Sequence, residues 1–218
     1  QFDLIRDVMQ VMGVAVYSLD GYEGDDILGT LSLRYEKEMP VNIVTGDRDA
    51  LQLSSSRTTV FLTQKGITNM AAMTPEAVFE KYHIEPRQVI DMKALMGDTA
   101  DNIPGVPGIG EKTALKLITQ YDNLDNLYAH VGEIKGAQGK KLTANKELAY
   151  LSYDLATIKR DVPMETSLED MHQPVHFEEM RVLFQKLGIN LLEQFASLPR
   201  FQALAEAKKE KSQRELVK

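Results

Sequence analysis

Two short apolar runs constrain the fold more than any other feature of this chain: "VAVYSLDGYE" at residues 14–23 and "VNIVTGD" at residues 41–47. Each ends in acidic residues and hands over at once to a helical pattern. The first reads as a buried strand ending at Asp20-Gly21, followed from Asp25 by a helix with Ile27, Leu28 and Leu31 on one face until Pro40. The second is a shorter strand, after which "DALQL" starts another helix. This alternation predicts an α/β fold with a mostly parallel sheet and helices on its faces. In such sheets ligands gather at the carboxyl ends of the strands, where both acidic clusters fall.

The flanking segments fit that frame. Leu4, Ile5, Val8, Met9 and Met12 recur at helical spacing before Gly13 stops the pattern. "TTVFLT" and "ITNM", separated by Gln64-Lys65-Gly66, read as a hairpin at one side of the sheet. Thr74-Pro75 is an N-cap and first-turn pair, and from there the chain reads as helical almost to its end. The expected organisation is an α/β core over residues 1–91, a helical subdomain over 92–200 and a charged tail or linker over 201–218. The chain starts with Gln1 rather than methionine and enters a helix at once, which reads as a truncated N-terminus.

Composition excludes several classes. The 218 residues contain no cysteine, which rules out disulfides and thiolate metal sites and points to a reducing cytoplasm. There is no apolar run of about 18 residues and no secretion signal, so no membrane partner is expected. A net charge of −7 argues against a nucleic-acid partner until its distribution is considered. Acids cluster in the first half, whereas Lys112, Lys116, Lys135, Lys140, Lys141 and Lys146 gather in the second. A metal-filled acidic pocket beside a basic face reconciles the two signs.

Three acidic clusters carry the chemistry. Glu23, Asp25 and Asp26 precede the first helix, Asp47 and Asp49 follow the next strand, and "LMGDTADNIPGV" adds Asp98 and Asp101. Each taken alone is explained by helix capping or an Asx turn. Seven carboxylates brought to one place would repel by several kcal/mol unless cations lay between them. Oxygen-only ligation, without cysteine or nearby histidine, favours Mg²⁺ or Mn²⁺ over zinc. Two such ions about 3.5 to 4 Å apart activate water and stabilise the leaving oxygen in phosphodiester hydrolysis. No nucleophilic triad competes with this reading, since Ser54, Ser55 and Ser56 form no elbow and read as a polar loop.

"IPGVPGIGEKTALKLI" adds a glycine-rich turn ahead of a helix carrying Ala114, Leu117, Ile118 and Tyr121 on one face. Its glycines allow close approach to a ligand, the helix start offers amides to an anion, and Lys112 and Lys116 extend the site by one turn. The absence of base-reading side chains points to backbone binding rather than sequence readout. A Walker-type ending is missing. "IKGAQGKK" is a loosely similar turn further on.

"GYEGDDILGTL", "TGDRDALQL" and "LMGDTADNIPGVPGIGEKTALKLI" closely resemble, in this order, motifs of the 5′ nuclease domains of bacterial DNA polymerase I, which belong to the flap endonuclease family. The resemblance runs from about Gly13 to Leu155 and more loosely to Leu198. It implies a PIN-like, Rossmann-like core followed by a helix-three-turn-helix element, and a divalent-metal, structure-specific 5′ nuclease. Expected substrates are DNA with 5′ flaps, nicks or gaps and RNA primer–DNA junctions, in bacterial replication and repair, with the protein cytoplasmic and nucleoid-associated. Glu23, Asp25, Asp26, Asp47, Asp49, Asp98 and Asp101 fall on the catalytic and metal-binding acids, which hold two Mg²⁺ or Mn²⁺ ions. Gly105, Gly108, Gly110, Lys112, Thr113 and Lys116 fall on the DNA-gripping element, which in the family also binds K⁺. Gly24, Arg48 and Thr99-Ala100 stand where the family has Ala, Lys and Ser-Ser. The family's first strand, its further metal-binding Asp and its arch do not precede Gln1. The chain is therefore expected to be a fragment, with polymerase domains linked in the whole protein, and to cleave poorly by itself. The alternatives are a DNA-binding module without catalysis and a stand-alone flap nuclease of the same superfamily.

Overall fold

The computed structural model describes residues 2–66, 68–190, 195 and 198. The chain divides into two compact units, Leu19–Val162 and a second formed by Gln1–Ser18 with Pro163–Lys218. In the second unit, α1 (Phe2–Val11) packs with α9 (Phe177–Leu187) around Met180 and Phe184. Val8 and Met12, two of the positions expected from the helical spacing, close over that pair together with Val11, whereas Leu4 and Ile5 remain exposed. The amide of His176 donates to the carbonyl of Val11 at 2.9 Å. The charged tail at 201–218 lies outside the described residues.

The larger unit begins with α2 (Gly24–Tyr35) and β1 (Val41–Thr45), and β2 (Thr58–Lys65) and β3 (Asn69–Met73) complete a sheet of order β1-β2-β3. β1 and β2 are parallel, β2 and β3 antiparallel, so the sheet is mixed. Register explains its buried face: Ile43 sits opposite Val60, and Val60 opposite Met73. All three are buried, and Leu51 and Leu53 of the 3-10 turn Asp49–Leu53 join them in one core. The alternate residue Val44 remains 61% exposed, as the period of two requires for a sheet covered on one side.

The strand expected over 14–23 does not form. Val14 makes one isolated bridge with His172, and Val14 and Val16 stay exposed. An apolar, β-branched run becomes a strand only where a neighbour takes its amides and carbonyls. β1 nevertheless packs against α2, so the acids of both clusters remain close to one another without that strand.

From Thr74 the chain turns helical as expected: the Thr74 hydroxyl accepts from the Ala77 amide, with Pro75 in the first turn of α3 (Pro75–Tyr82). α4 (Val89–Met96) lies at the centre of the helical part, packed on α5 (Glu111–Tyr121) and α8 (Lys146–Ala156). α6 (Leu124–Ala129) and α7 (Gly136–Ala144) complete this layer. Helix does not continue almost to the end, because residues 157–176 form neither helix nor strand. Its first part, residues 157–162, is instead pinned to α2: the Val162 amide donates to the Thr30 hydroxyl at 3.0 Å, and a Cβ on Gly29 would collide with Ile158.

The glycine turn between α4 and α5 is held by a backbone crossing. Gly97 and Gly105 both have positive φ, and a Cβ at Gly105 would run into the backbone of Met96 and Gly97. Ser152 of α8 accepts the Gly105 amide at 2.9 Å and donates to Leu148 at 2.7 Å, tying the turn to its neighbour. At Gly108, by contrast, a Cβ would meet only the ammonium end of Lys141, which can swing away. Gly105→Ala is therefore expected to cost about 3 kcal/mol or more, and Gly108→Ala only the roughly 1 to 2 kcal/mol of a left-handed residue. Urea unfolding of the two variants checks this, and equal losses would contradict the crossing.

Asp91, buried in α4, accepts the Leu124 amide at 2.8 Å and thereby anchors the start of α6. Burial pushes its carboxyl up to about 6, against the pull of that amide and of Arg87. The sign follows from the proton count. A folded-state value above the unfolded one means that the folded chain binds the proton more tightly, so stability falls as pH rises from about 4 through about 6. Asp91→Asn keeps the acceptor and removes the charge. It should match the parent below pH 4 and be more stable by about 2 kcal/mol at pH 7.5, as read from urea midpoints across that range.

Candidate metal centre and nucleic-acid interface

All of the sequence-selected acids lie in the unit Leu19–Val162, but they do different work. Glu23 and Asp26 form a reciprocal capping box at the start of α2, in which Asp26 accepts the Glu23 amide at 3.2 Å. The other oxygen of Asp26 accepts the Lys159 amide at 2.8 Å. The ammonium of Lys159 lies 5.3 Å from the centre of the Tyr22 ring. The capping explanation thus holds for two of the three acids.

Asp25 is half-buried, and its carboxyl is pushed above the ordinary range by burial and then by the charges of Asp47, Glu23, Asp26 and Asp101. Mutual repulsion is the signature expected of carboxylates turned toward a common place. Asp47 leaves the carboxyl end of β1 and accepts the Asp49 amide at 2.9 Å, while its own amide donates to Thr45 at 3.0 Å. Asp98 begins the turn after α4, exchanges backbone bonds with Ile103 at 2.8 and 2.9 Å, and accepts the Ala100 amide at 2.8 Å. Asp47, Asp98 and Asp101 line one cavity of about 360 Å³. Lys93 and Glu111 share its wall, so the first residue of α5 borders the acids.

Lys93 is the residue that sequence reasoning missed. It projects from α4 with 4% exposure, forms an ion pair with Asp49, and places Nζ 2.6 Å from Asp98 Oδ2. Burial alone would lower its pKa, but the bonds to Asp49 and Asp98 outweigh that and hold the ammonium above the ordinary lysine range. Lys93 holds Asp98 below the usual carboxylate range. Burial pushes Asp49 upward against the same attraction. The available signal was a lysine inside the apolar run "VIDMKALM", where a cation with no acidic partner would be costly to bury.

The seven acids do not converge as a single ligand set. Among the described residues, no three His, Cys, Asp or Glu side chains are gathered closely enough to hold an ion. The donor chemistry still suits a hard divalent cation. Asp25 repels its acidic neighbours, and the cavity wall offers carboxylate oxygens without thiol or imidazole.

On the basic side, Gly110 caps α5, and the amides of Thr113 and Ala114 return to its carbonyl at 3.0 and 2.9 Å. Lys112 and Lys116 are exposed on that helix, one turn apart, with Thr113 between them half-buried. Lys141 reaches the turn at Gly108 from α7, so the "IKGAQGKK" segment contributes a lysine to the first glycine turn. Lys146, also exposed, instead places its ammonium 5.5 and 5.7 Å from the ring centres of Tyr128 and Tyr150. Ser54 and Ser55 bond to Met73 and Glu36, which agrees with a structural polar loop.

Comparison with known proteins identifies this arrangement. The family described as 5′-3′ exonuclease, N-terminal resolvase-like domain, matches residues 1–83, and 5′-3′ exonuclease, C-terminal SAM fold, matches residues 84–178. The chain is 49% identical over 191 residues to DNA polymerase I of Bacillus caldotenax, covering 86% of this chain and 22% of that protein. It is 45% identical over 195 residues to DNA polymerase I of Bacillus subtilis, covering 88% and 22%. It thus spans about a fifth of the length of these relatives. The T5 5′-exonuclease with bound zinc shares the fold at a TM-score of 0.55 and 22% identity, covering 78% of this chain and 61% of that one. The catalytic core of Rad2 in complex with DNA substrate does so at 0.57 and 15% identity, covering 89% and 67%. With both of its parts matched in order and polymerase relatives at such identity, the chain belongs to the 5′-3′ exonuclease family.

Proposed function

We propose that this chain is the 5′ nuclease part of a DNA polymerase I, hydrolysing phosphodiesters at 5′ flaps, nicks and RNA primer–DNA junctions in bacterial replication and repair, with polymerase domains linked in the same protein. The observation that carries the reading is the shared cavity. Asp47, Asp98 and Asp101 line it together with Glu111, the first residue of the helix that follows the glycine turn. The acids and the start of the helix that carries Lys112 and Lys116 thus lie together within one unit.

Asp25, Asp47, Asp49, Asp98 and Asp101 are the acids assigned to divalent ions, Mg²⁺ or Mn²⁺, in two sites. Glu23 and Asp26 act from the capping box, holding the helix that presents Asp25. When bound, such ions would supply an activated water and charge stabilisation for the leaving oxygen. The chain's own contribution is to orient the carboxylates from two turns and one helix start, and to hold the duplex backbone. Gly105, Gly108 and Gly110 let phosphates approach the backbone, Lys112 and Lys116 neutralise them, and Thr113 lies between the two lysines. K⁺ at the glycine turn and a cytoplasmic, nucleoid-associated location belong to the same proposal. The support for DNA comes from Rad2, solved with DNA substrate, and from the polymerase relatives.

The test is Mg²⁺-dependent cleavage of a 5′-flap duplex by the protein carrying the flanking sequence of its reading frame. Asp47→Asn is expected to lower turnover by about 100-fold or more while leaving duplex binding in place. Lys112→Ala is expected to weaken binding uniformly across sequences and reduce the salt slope by about 1. Unchanged turnover in Asp47→Asn would refute the metal assignment.

A further inference from the structure

The segment 157–162, which leaves α8 without helix or strand, is fastened between two of the elements that carry acids. On one side Gln52, in the turn Asp49–Leu53, donates from Nε2 to the Ala156 carbonyl at 2.9 Å and accepts the Ile158 amide at 3.0 Å. On the other, α2 takes the Lys159 amide on Asp26 Oδ1 at 2.8 Å and the Val162 amide on the Thr30 hydroxyl at 3.0 Å. The residue placed between these fastenings, Lys159, has an exposed side chain. Its ammonium lies 5.3 Å from the centre of the ring of Tyr22, the residue before Glu23, and among the described residues it forms no ion pair. A ring face attracts a cation without neutralising it. The charge of Lys159 therefore stays uncompensated beside the first acidic cluster, whereas Lys93 is buried and committed to Asp49 and Asp98.

Resting on the nuclease reading above, we infer that Lys159 is a substrate-binding lysine on the acidic side, whose ammonium takes a phosphate of the DNA strand close to the bond that is cleaved. Clustered carboxylates repel the phosphates they have to admit, and a fixed positive charge at their edge lowers that repulsion. A lysine suits the task because its ammonium is a compact point charge on a flexible stem. Tyr22 is the positioning residue: its ring holds the ammonium near the start of α2 without cancelling its charge. The bonds that fasten the segment use backbone groups of Ile158, Lys159 and Val162, so the ammonium can leave the ring for a phosphate while the segment keeps its place. Lys112 and Lys116 are carried by α5, so Lys159 adds a grip from a different part of the chain.

Fluorescence anisotropy of a 5′-flap duplex in EDTA, over a range of salt concentrations, tests this by binding alone, with the protein carrying the flanking sequence of its reading frame. Lys159→Ala should bind about 10-fold more weakly at low salt and lose about 1 from the salt slope, while Lys159→Arg should stay within about 3-fold of the parent. Tyr22→Phe should bind like the parent and Tyr22→Ala more weakly. Replacing the phosphates near the cleavage site one at a time by neutral methylphosphonates locates the contact. At one position the replacement should weaken the parent and leave Lys159→Ala unaffected. Lys159→Gln, which removes the charge and keeps a stem, gives the same reading if Lys159→Ala does not fold. Parent-like affinity and slope in both neutral variants, or losses that add at every methylphosphonate position, would overturn the inference. Such a result with Lys112→Ala still weakened would leave the nuclease reading in place. Should Lys112→Ala also bind like the parent, or the parent not bind the duplex at low salt, both fall.

Discussion

The ion pairs of Lys93 with Asp49 and Asp98 are the constraint on which the arrangement of the acidic centre depends. Asp49 starts the short turn that follows β1, and Asp98 starts the loop that follows α4. These segments are remote in sequence and belong to different kinds of secondary structure. An ammonium buried between their carboxylates fixes their separation, because loss of either partner would leave a charge stranded away from water. Asp47 hangs on the same turn through the Asp49 amide, and Asp101 follows Asp98 around the same loop. One buried lysine thus connects two of the three acidic clusters.

A second constraint, purely steric, places the glycine turn and the lysine-bearing helix that follows it. Gly105 passes directly against Gly97 and Met96, which only a residue without a side chain allows. Since Gly97 ends α4 and Gly105 opens the path to α5, this crossing sets where α5 begins. Ser152 reinforces it from α8 through the Gly105 amide. The same loop carries Asp98 and Asp101 at its start, and Glu111 at its end reaches their cavity. Close passage of two backbone segments is what makes the acids and the exposed lysines neighbours.

Much of this was legible beforehand, for reasons that are local. The capping signals at Thr74-Pro75 and Glu23–Asp26, the amphipathic spacing of α1 and α5 and the hairpin from Thr58 to Met73 all depend on residues a few positions apart. The relation between residues and structure is short-ranged there, and the structure follows it. The strand expected over 14–23 failed because pairing is not local: its apolar alternation is real, but among the described residues its strand pairing stops at an isolated bridge between Val14 and His172. Lys93 was missed for the same reason. Its neighbours in sequence, Met92 and Ala94, say nothing of Asp49, forty-four positions earlier. Lys141 likewise reads as a solvent-facing lysine of α7 until its ammonium is found at Gly108.

The sequence by itself determined which chemistry is available: carboxylates without cysteine, placed where strands and helices begin and end, and a glycine turn followed by lysines. It also determined the family, since three motifs occur in order at the expected spacing. Only the tertiary structure decided how the acids share the work. Glu23 and Asp26 serve the helix start, Asp49 and Asp98 are compensated by Lys93, and Asp25, Asp47 and Asp101 remain without an ion-pair partner among the described residues. The physical reason is that a carboxylate's role depends on what lies within a few ångströms of it, and those neighbours come from segments the chain brings together only by folding.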